Sequence, residues 1–366
     1  MIKEGKLGAQ EMISLVTAAI SSKLFFTSPG FLTRFVGTAG WYMTLISNIT
    51  AMAAFAFTYL LLKRFPGKGI VEIFDISFGR IIGFICSLTM GIAFLINTSV
   101  FLREFAEVIK IYVYPETPIS LLMIPAVISA AIAASLGLES IARFSKLSAY
   151  TSIIGFLTLL ILTSQNFKYH YIFPVLGYGL SKTVSIGIER SSVYAEVIIL
   201  AVYAGSIQKI SDIKKVGFIS LILSGFIISL GLLSISMAFP YQIAQEITAP
   251  VYELTRLIKY GSFVQRLDPF FLFLWNITTV ITICILFNSS VSVCCKAFRL
   301  QDARPVIVPM AVILFSYAFI PESFMSVVTK YVQSSRIYGS LVFFGLPIIA
   351  LAAAKIRKKK GDVSNA

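Results

Sequence analysis

Charge is scarce in this 366-residue chain: Asp, Glu, Lys and Arg together make up 13%, against about 25% in an ordinary soluble domain. Histidine is nearly missing, since His170 is the one copy and no acid or cysteine lies close to it. The four cysteines, Cys86, Cys284, Cys294 and Cys295, contain no CxxC pair and sit in or beside apolar runs. Those shortages argue against a metal centre or a redox pair, so the cysteines read as apolar helix residues. No dinucleotide fingerprint, Walker loop or HExxH occurs, and no acid pair is flanked by a base. The expectation is that the chain is not an enzyme and carries no cofactor and no metal.

Apolar residues are abundant, at 57%, with 31 phenylalanines. Runs of about 20 apolar residues, long enough to cross a bilayer as helices, fall at 8–30, 41–62, 80–102, 119–137, 147–164, 184–207, 213–239, 269–298, 305–320 and 336–354. Numbered spans 1 to 10, they predict an all-α polytopic membrane protein, and the first run is a retained span, not a removed signal peptide. Pro29-Gly30, Pro66-Gly67, Thr117-Pro118 and Pro321 mark turns between them. The net charge of +14 does not point to nucleic acid, because the cations lie between apolar runs and in the tail Lys355–Lys360. A basic cluster directly after a span marks the cytoplasmic side and touches anionic lipid. Counted by side, 19 basic residues share the side of both termini and 10 face away, with Lys23 and Arg190 left inside spans. Both termini are therefore expected to be cytoplasmic.

Dividing the chain near residue 175 puts five spans on each side. An odd number per half forces the halves to insert with opposite topology, so the expected architecture is a five-plus-five inverted repeat. One transmembrane domain, 1–366, then comprises repeat one at about 7–165, repeat two at about 180–354 and a basic tail, 355–366. Spans 1 and 6 become equivalent, and both are interrupted. Ser21-Ser22-Lys23 breaks the run Leu7–Pro29, and Glu189-Arg190-Ser191-Ser192 with Glu196 breaks Val184–Ile207. A charge near the bilayer centre costs at least about 2.5–3.5 kcal/mol, so it marks a use. Paired broken helices point to a ligand site at the membrane midplane.

The exposed backbone N–H groups at the second half of a broken helix attract a carboxylate, with Ser21 and Ser22 as added donors. Glu196 would accept a ligand amine or pair with Lys23; a purely structural Lys23–Glu196 bridge is the competing reading. Leu24 with Phe25 and Phe26 would line an apolar side-chain pocket. Ser192, Tyr194 and Ala195 accompany Glu196 on span 6. Spans 3 and 8 supply walls: Asn97, Thr98 and Ser99 on one, Asn276, Thr278, Thr279 and Thr282 on the other, with Trp275 at the head of span 8. Glu189 and Arg190 read as a possible pair near the outer interface. Between spans 7 and 8, Ile247–Tyr260 places Val251, Leu254 and Ile258 on one face, as an interfacial helix or a lid.

Local motifs spread over nearly the whole chain carry a family likeness. They are Lys6-Leu7-Gly8-Ala9-Gln10, Pro29 followed by Gly40-Trp41, Arg103-Glu104, Thr117-Pro118-Ile119 and Gly137-Leu138-Glu139-Ser140-Ile141-Ala142-Arg143. Pro174-Val175-Leu176-Gly177, Ala195-Glu196 and Arg266-Leu267-Asp268 with Trp275 complete the set. In this order the chain resembles the B subunit of spore nutrient-germinant receptors (the GerAB family), a branch of the amino acid–polyamine–organocation superfamily. The resemblance implies a nutrient-germinant sensing subunit whose small-molecule germinant, usually an amino acid, sits between spans 1, 3, 6 and 8. It also implies an A subunit and a lipoprotein C subunit as partners, in the inner membrane of the spore. Relatives commonly have a Gly-rich break in span 1, where this chain has Ser21-Ser22-Lys23. Two other functions remain open at this level: a proton-coupled amino acid secondary transporter, and a scaffold with a vestigial site.

Overall fold

A computed structural model describes residues 7–207, 210–260, 264–265 and 267–361. Lys3, Lys6, Lys209 and Arg266, which entered the charge count and the motifs, lie outside the described residues, as does the tail from 362 onward. Helix dominates, with one two-stranded ribbon, Lys259–Tyr260 against Val264–Gln265. Among the described residues seven helices are long and apolar enough to cross a membrane: Ser28–Arg64, Arg80–Tyr112, Ile119–Leu136, Leu138–Asn166, Ile210–Ala238, Asp268–Ala297 and Phe324–Ile356. They carry spans 2, 3, 4, 5, 7, 8 and 10. Span 9 is the shorter helix Arg304–Phe319. Spans 1 and 6 are the two broken segments.

The halves pack as an inverted pair would. Span 3 lies along span 8, and span 2 along span 7. Broken spans 1 and 6 thread between them, so their polar breaks are shielded from lipid by four long helices. Spans 4 and 5 sit further out and expose Leu121, Ile128, Ile132, Leu147, Ile154 and Ile161. A soluble protein would bury such residues; lipid tails are an equally apolar solvent for them. One residue, Gly137, joins these two spans at φ +87°, a backbone angle that side chains resist.

Each half also holds a short helix between its second and third spans. Ile70–Phe78 precedes span 3, and Pro250–Arg256 precedes span 8. The second is shorter than the expected 247–260 helix. Its predicted apolar face holds, because Val251, Leu254 and Ile258 are all buried. It packs inward on the protein: the Ala249 N–H donates to the Tyr112 hydroxyl at the end of span 3 (3.3 Å). Two cations of the basic tail also make contacts within the protein. Arg357 and Lys359 turn back onto the Ser77 and Ile76 carbonyls (3.1 and 2.6 Å). They complete the C-terminal turn of Ile70–Phe78, whose carbonyls have no partner within their own helix.

Close approach of spans 2 and 7 depends on Gly217. A Cβ there would lie 2.1 Å from the ring of Phe55, itself fully buried. Gly217→Ala should therefore destabilise the bundle by about 1–3 kcal/mol through overpacking, read as a lower thermal unfolding midpoint in detergent. Phe55→Leu should recover part of that loss in the double variant; equal loss in single and double would place the strain elsewhere.

Candidate functional site

Span 1 leaves the α-helix at Ser22. Helix Ala9–Ser21 tightens into a 3₁₀ turn, Ser22–Phe25, where the Ser22 hydroxyl donates to the Ala19 carbonyl (3.0 Å). A hydroxyl bonded back to its own turn competes with the helical ladder. Phe26 is extended, and the second half-helix begins at Ser28-Pro29. Proline has no N–H to give and disfavours helix in the residue before it. Span 6 changes over a longer stretch: helix Leu180–Glu189 becomes a nine-residue 3₁₀ run, Arg190–Ile198, before Ile199–Val202. Runs of that geometry longer than 3–4 residues are uncommon and mark strain or a hinge.

The two breaks face each other. The Lys23 ammonium donates to the Glu196 carboxylate and to the Val193 carbonyl (2.6 Å), with both charged side chains buried. The Asn97 amide on span 3 reaches the other Glu196 oxygen (3.5 Å), and Ser335 on span 10 donates to Asn97 (3.0 Å). On the other side, the Thr282 hydroxyl of span 8 donates to Ser22 (3.1 Å). Ser192 and Ser21 are buried, and neither hydroxyl has a hydrogen-bond partner among the described residues. Ser21 instead lines a groove of about 220 Å³ between spans 1, 5 and 7. Thr17, Phe25, Ser152 and Thr278 share that groove, where Ser152 and Thr278 pair (3.1 Å).

Other residues picked from the sequence point elsewhere. The Tyr194 hydroxyl donates to the Thr44 carbonyl (3.1 Å), so it braces span 6 on span 2. Leu24 packs over Gly231 of span 7. Ala195 is buried and offers only a methyl. Thr98, Ser99 and Asn276 bond back to their own helices (2.6, 2.9 and 2.7 Å), while the Thr279 hydroxyl is buried without a partner. Trp275 is 2% exposed, with its ring at a steep angle against Phe26 and Phe105. Glu189 and Arg190 do not pair within ion-pair distance; Arg190 stacks over Phe35, 4.4 Å from the ring centre.

Two charges in this region escape a reading by spans. Glu104 accepts from both the N–H (3.1 Å) and the hydroxyl of Thr27, the residue that caps the second half-helix. The carboxylate expected at that helix end is thus supplied by the chain itself. Arg336, placed by sequence at the outer edge of span 10, lies well inside helix Phe324–Ile356 between two wider π-helical stretches, Val327–Val332 and Leu341–Gly345. Apolar residues running on past Glu104 (Phe105, Val108, Ile109) and before Arg336 (Val327, Val328, Val332) were the available signal. Among the described residues no group of histidines, cysteines or acids has the arrangement of a metal site.

Broken helices crossing at an inverted repeat, with a buried ion pair between them, define a helical membrane protein of transporter fold. Solved structures agree in fold. A nucleobase-cation-symport-1 family transporter, MHP1, in a closed conformation with bromovinylhydantoin bound, is 11% identical over 96% of this chain and 94% of its own, with TM-score 0.64. The Eremococcus coleocola manganese transporter is 12% identical over 97% and 81%, with TM-score 0.61. MhsT in complex with L-phenylalanine is 16% identical over 98% and 91%, with TM-score 0.56. Residues 6–326 match the model of the spore germination protein family, to which the chain belongs. Two Bacillus subtilis (strain 168) proteins are similar to it. Spore germination protein KB is 22% identical over 97% of this chain and 96% of its own length. Spore germination protein B2 is 20% identical over 75% and 74%.

The pair itself is open to test. Lys23→Met leaves the Glu196 carboxylate buried without its cation, which should cost about 3–5 kcal/mol. The double variant Lys23→Met/Glu196→Gln should regain most of that, as a higher melting midpoint than the single. Equal damage in both would show that the two charges do not depend on each other.

Proposed function

We propose that this chain is the nutrient-sensing B subunit of a spore germination receptor, binding a small germinant, an amino acid in the first instance, where spans 1 and 6 are broken. The observation that carries this reading is the buried Lys23–Glu196 pair flanked by unpartnered Ser21 and Ser192 hydroxyls, in a member of the spore germination family. Buried polar groups without partners are uncommon and need an explanation; a ligand's own polar groups would complete them. Binding would then favour one packing of the bundle by no more than the ligand's differential affinity for the two packings. In this reading an A subunit and a lipoprotein C subunit complete the receptor in the spore inner membrane, with both termini on the cytoplasmic side.

A second reading, a proton-coupled amino acid transporter, has one observation in its favour: Glu196 is a buried acid held by a lysine at the crossing point of a transporter fold. Uptake of labelled amino acid by proteoliposomes of this subunit would select it.

A thermal-shift screen of the purified chain against the amino acids should show stabilisation by one or a few of them. At a hundredfold excess over Kd the stabilisation is about 2.7 kcal/mol. The charge-free double variant Lys23→Met/Glu196→Gln and Ser22→Trp should abolish the response while both variants still insert and purify. An unchanged response in both variants would move the site away from the breaks.

A further inference from the structure

Counting partners across the crossing region leaves an imbalance. Lys23 is matched by Glu196, and Glu104 is held by Thr27. Nearby, Arg103 is paired with Glu107 (2.9 Å) and Arg34 with Glu246 (3.1 Å). Arg190 and Arg336 have no carboxylate within ion-pair distance and, among the described residues, donate no side-chain hydrogen bond. Arg190 has only the ring faces of Phe35 and Phe31, at 4.4 and 6.0 Å. The exposed Glu189 attracts Arg190 from outside without touching it, and Glu196 and Glu104 attract Arg336 in the same way. Inside the bundle, Lys23, Arg190 and Arg336 face the two buried carboxylates Glu196 and Glu104, and the third cation has only the exposed Glu189 at a distance.

Both free guanidinium groups face the same place. A cavity of about 20 Å³ is lined by Arg190 and Arg336 together with Thr27, Phe31, Val193 and Gln333. The two cations repel each other across it. Its floor is Val193, whose carbonyl already takes a hydrogen bond from Lys23, so the cavity lies one residue away from the central pair. The first turn of half-helix Ser28–Val36 borders it and adds the positive end of a helix dipole. Space for about one water suits one carboxylate oxygen or a small halide. Two forked guanidiniums are the side chains best shaped to hold such a group.

We propose that Arg190 and Arg336 bind a single anionic group in this cavity, either the carboxylate of the germinant or a small free anion. The carboxylate arm rests on the ligand reading above. It also explains how an amino acid would sit when Glu104 already fills the helix end on span 1: the carboxylate goes outward to the arginines, and the rest of the molecule faces the breaks.

The test uses the purified full chain in detergent, with ionic strength held constant by a bulky organic sulfonate. Chloride, acetate, each α-amino acid and each corresponding α-amide are titrated while the melting midpoint is followed. At least one of the anions should stabilise the wild type saturably, with apparent affinity about tenfold or more weaker in Arg190→Gln and in Arg336→Gln. Neither substitution should lower the ligand-free midpoint, because each removes a half-buried charge that has no ion-pair partner; a marked drop would assign the arginines a structural role and overturn the proposal. Stabilisation by an amino acid but not by its amide identifies the ligand's carboxylate as the occupant. Stabilisation by chloride or acetate alone keeps the arginine site and removes the amino-acid reading. Equal stabilisation by acid and amide, lost in Ser22→Trp but kept in both arginine variants, keeps the germinant reading and overturns this one. No stabilisation of the wild type by any anion also overturns it.

Discussion

The arrangement of this bundle depends on one buried contact, Lys23 with Glu196. Each charge sits in a helix that crosses apolar surroundings, and neither would be tolerable there alone. Together they make two local defects into a joint. The lysine reaches over because span 1 has left the α-helix one residue earlier, and it adds a hydrogen bond to the Val193 carbonyl inside the stretch where span 6 is wound as a 3₁₀ helix. Straighten either helix and the other half of the contact loses its geometry. Spans 2, 3, 7 and 8 then serve as walls that keep lipid from the joint, which is why the pairs 2–7 and 3–8 are the closely packed ones.

In the proposed reading, a consequence of this joint is that the fold occupies its own ligand positions. A half-helix N-terminus at the membrane midplane invites a carboxylate, and Glu104 provides it through Thr27. An acid facing that end invites an amine or a cation, and Lys23 provides it. A ligand at the breaks therefore does not enter vacant charges. It must exchange contacts with Lys23, Glu196 or Glu104, or use groups that remain free, such as the Ser21 and Ser192 hydroxyls. Such exchange links occupancy to the way spans 1, 3 and 6 are held together, because the groups displaced are the same ones that hold them.

Composition and run length made the membrane class and the position of each span legible, and charge interruption at matched places made the two breaks legible. These are properties of local sequence: a 20-residue apolar run or a lysine inside one is visible without knowing its neighbours. The Lys23–Glu196 contact was legible only as one of two alternatives, since partner choice across 173 residues is a property of packing. Glu104 and Arg336 were misplaced for a different reason. Span ends were drawn where charge begins, but helices Arg80–Tyr112 and Phe324–Ile356 run on past those charges because protein, not lipid, surrounds them. Hydropathy measures the cost of facing lipid and is blind to a charge that faces another helix. Tyr194 and Leu24 show the same limit from the other side: their spacing put them near the break, while the direction of their side chains took them to spans 2 and 7.

Span 10 then becomes the element to which the interior answers. Ser335 reaches Asn97, which reaches Glu196, and the next residue, Arg336, faces the cavity it shares with Arg190. The helix that carries them is interrupted by a wide turn on each side. Inserting a residue into a helical turn rotates everything beyond it, so two such turns let the segment Gln333–Ser340 present polar groups inward while both ends of the helix keep apolar faces outward. Spans 2 and 7 have no such turn and meet closely where Phe55 packs on Gly217. In the proposed reading, a ligand that altered the Asn97–Glu196 contact would therefore act on span 10 through Ser335.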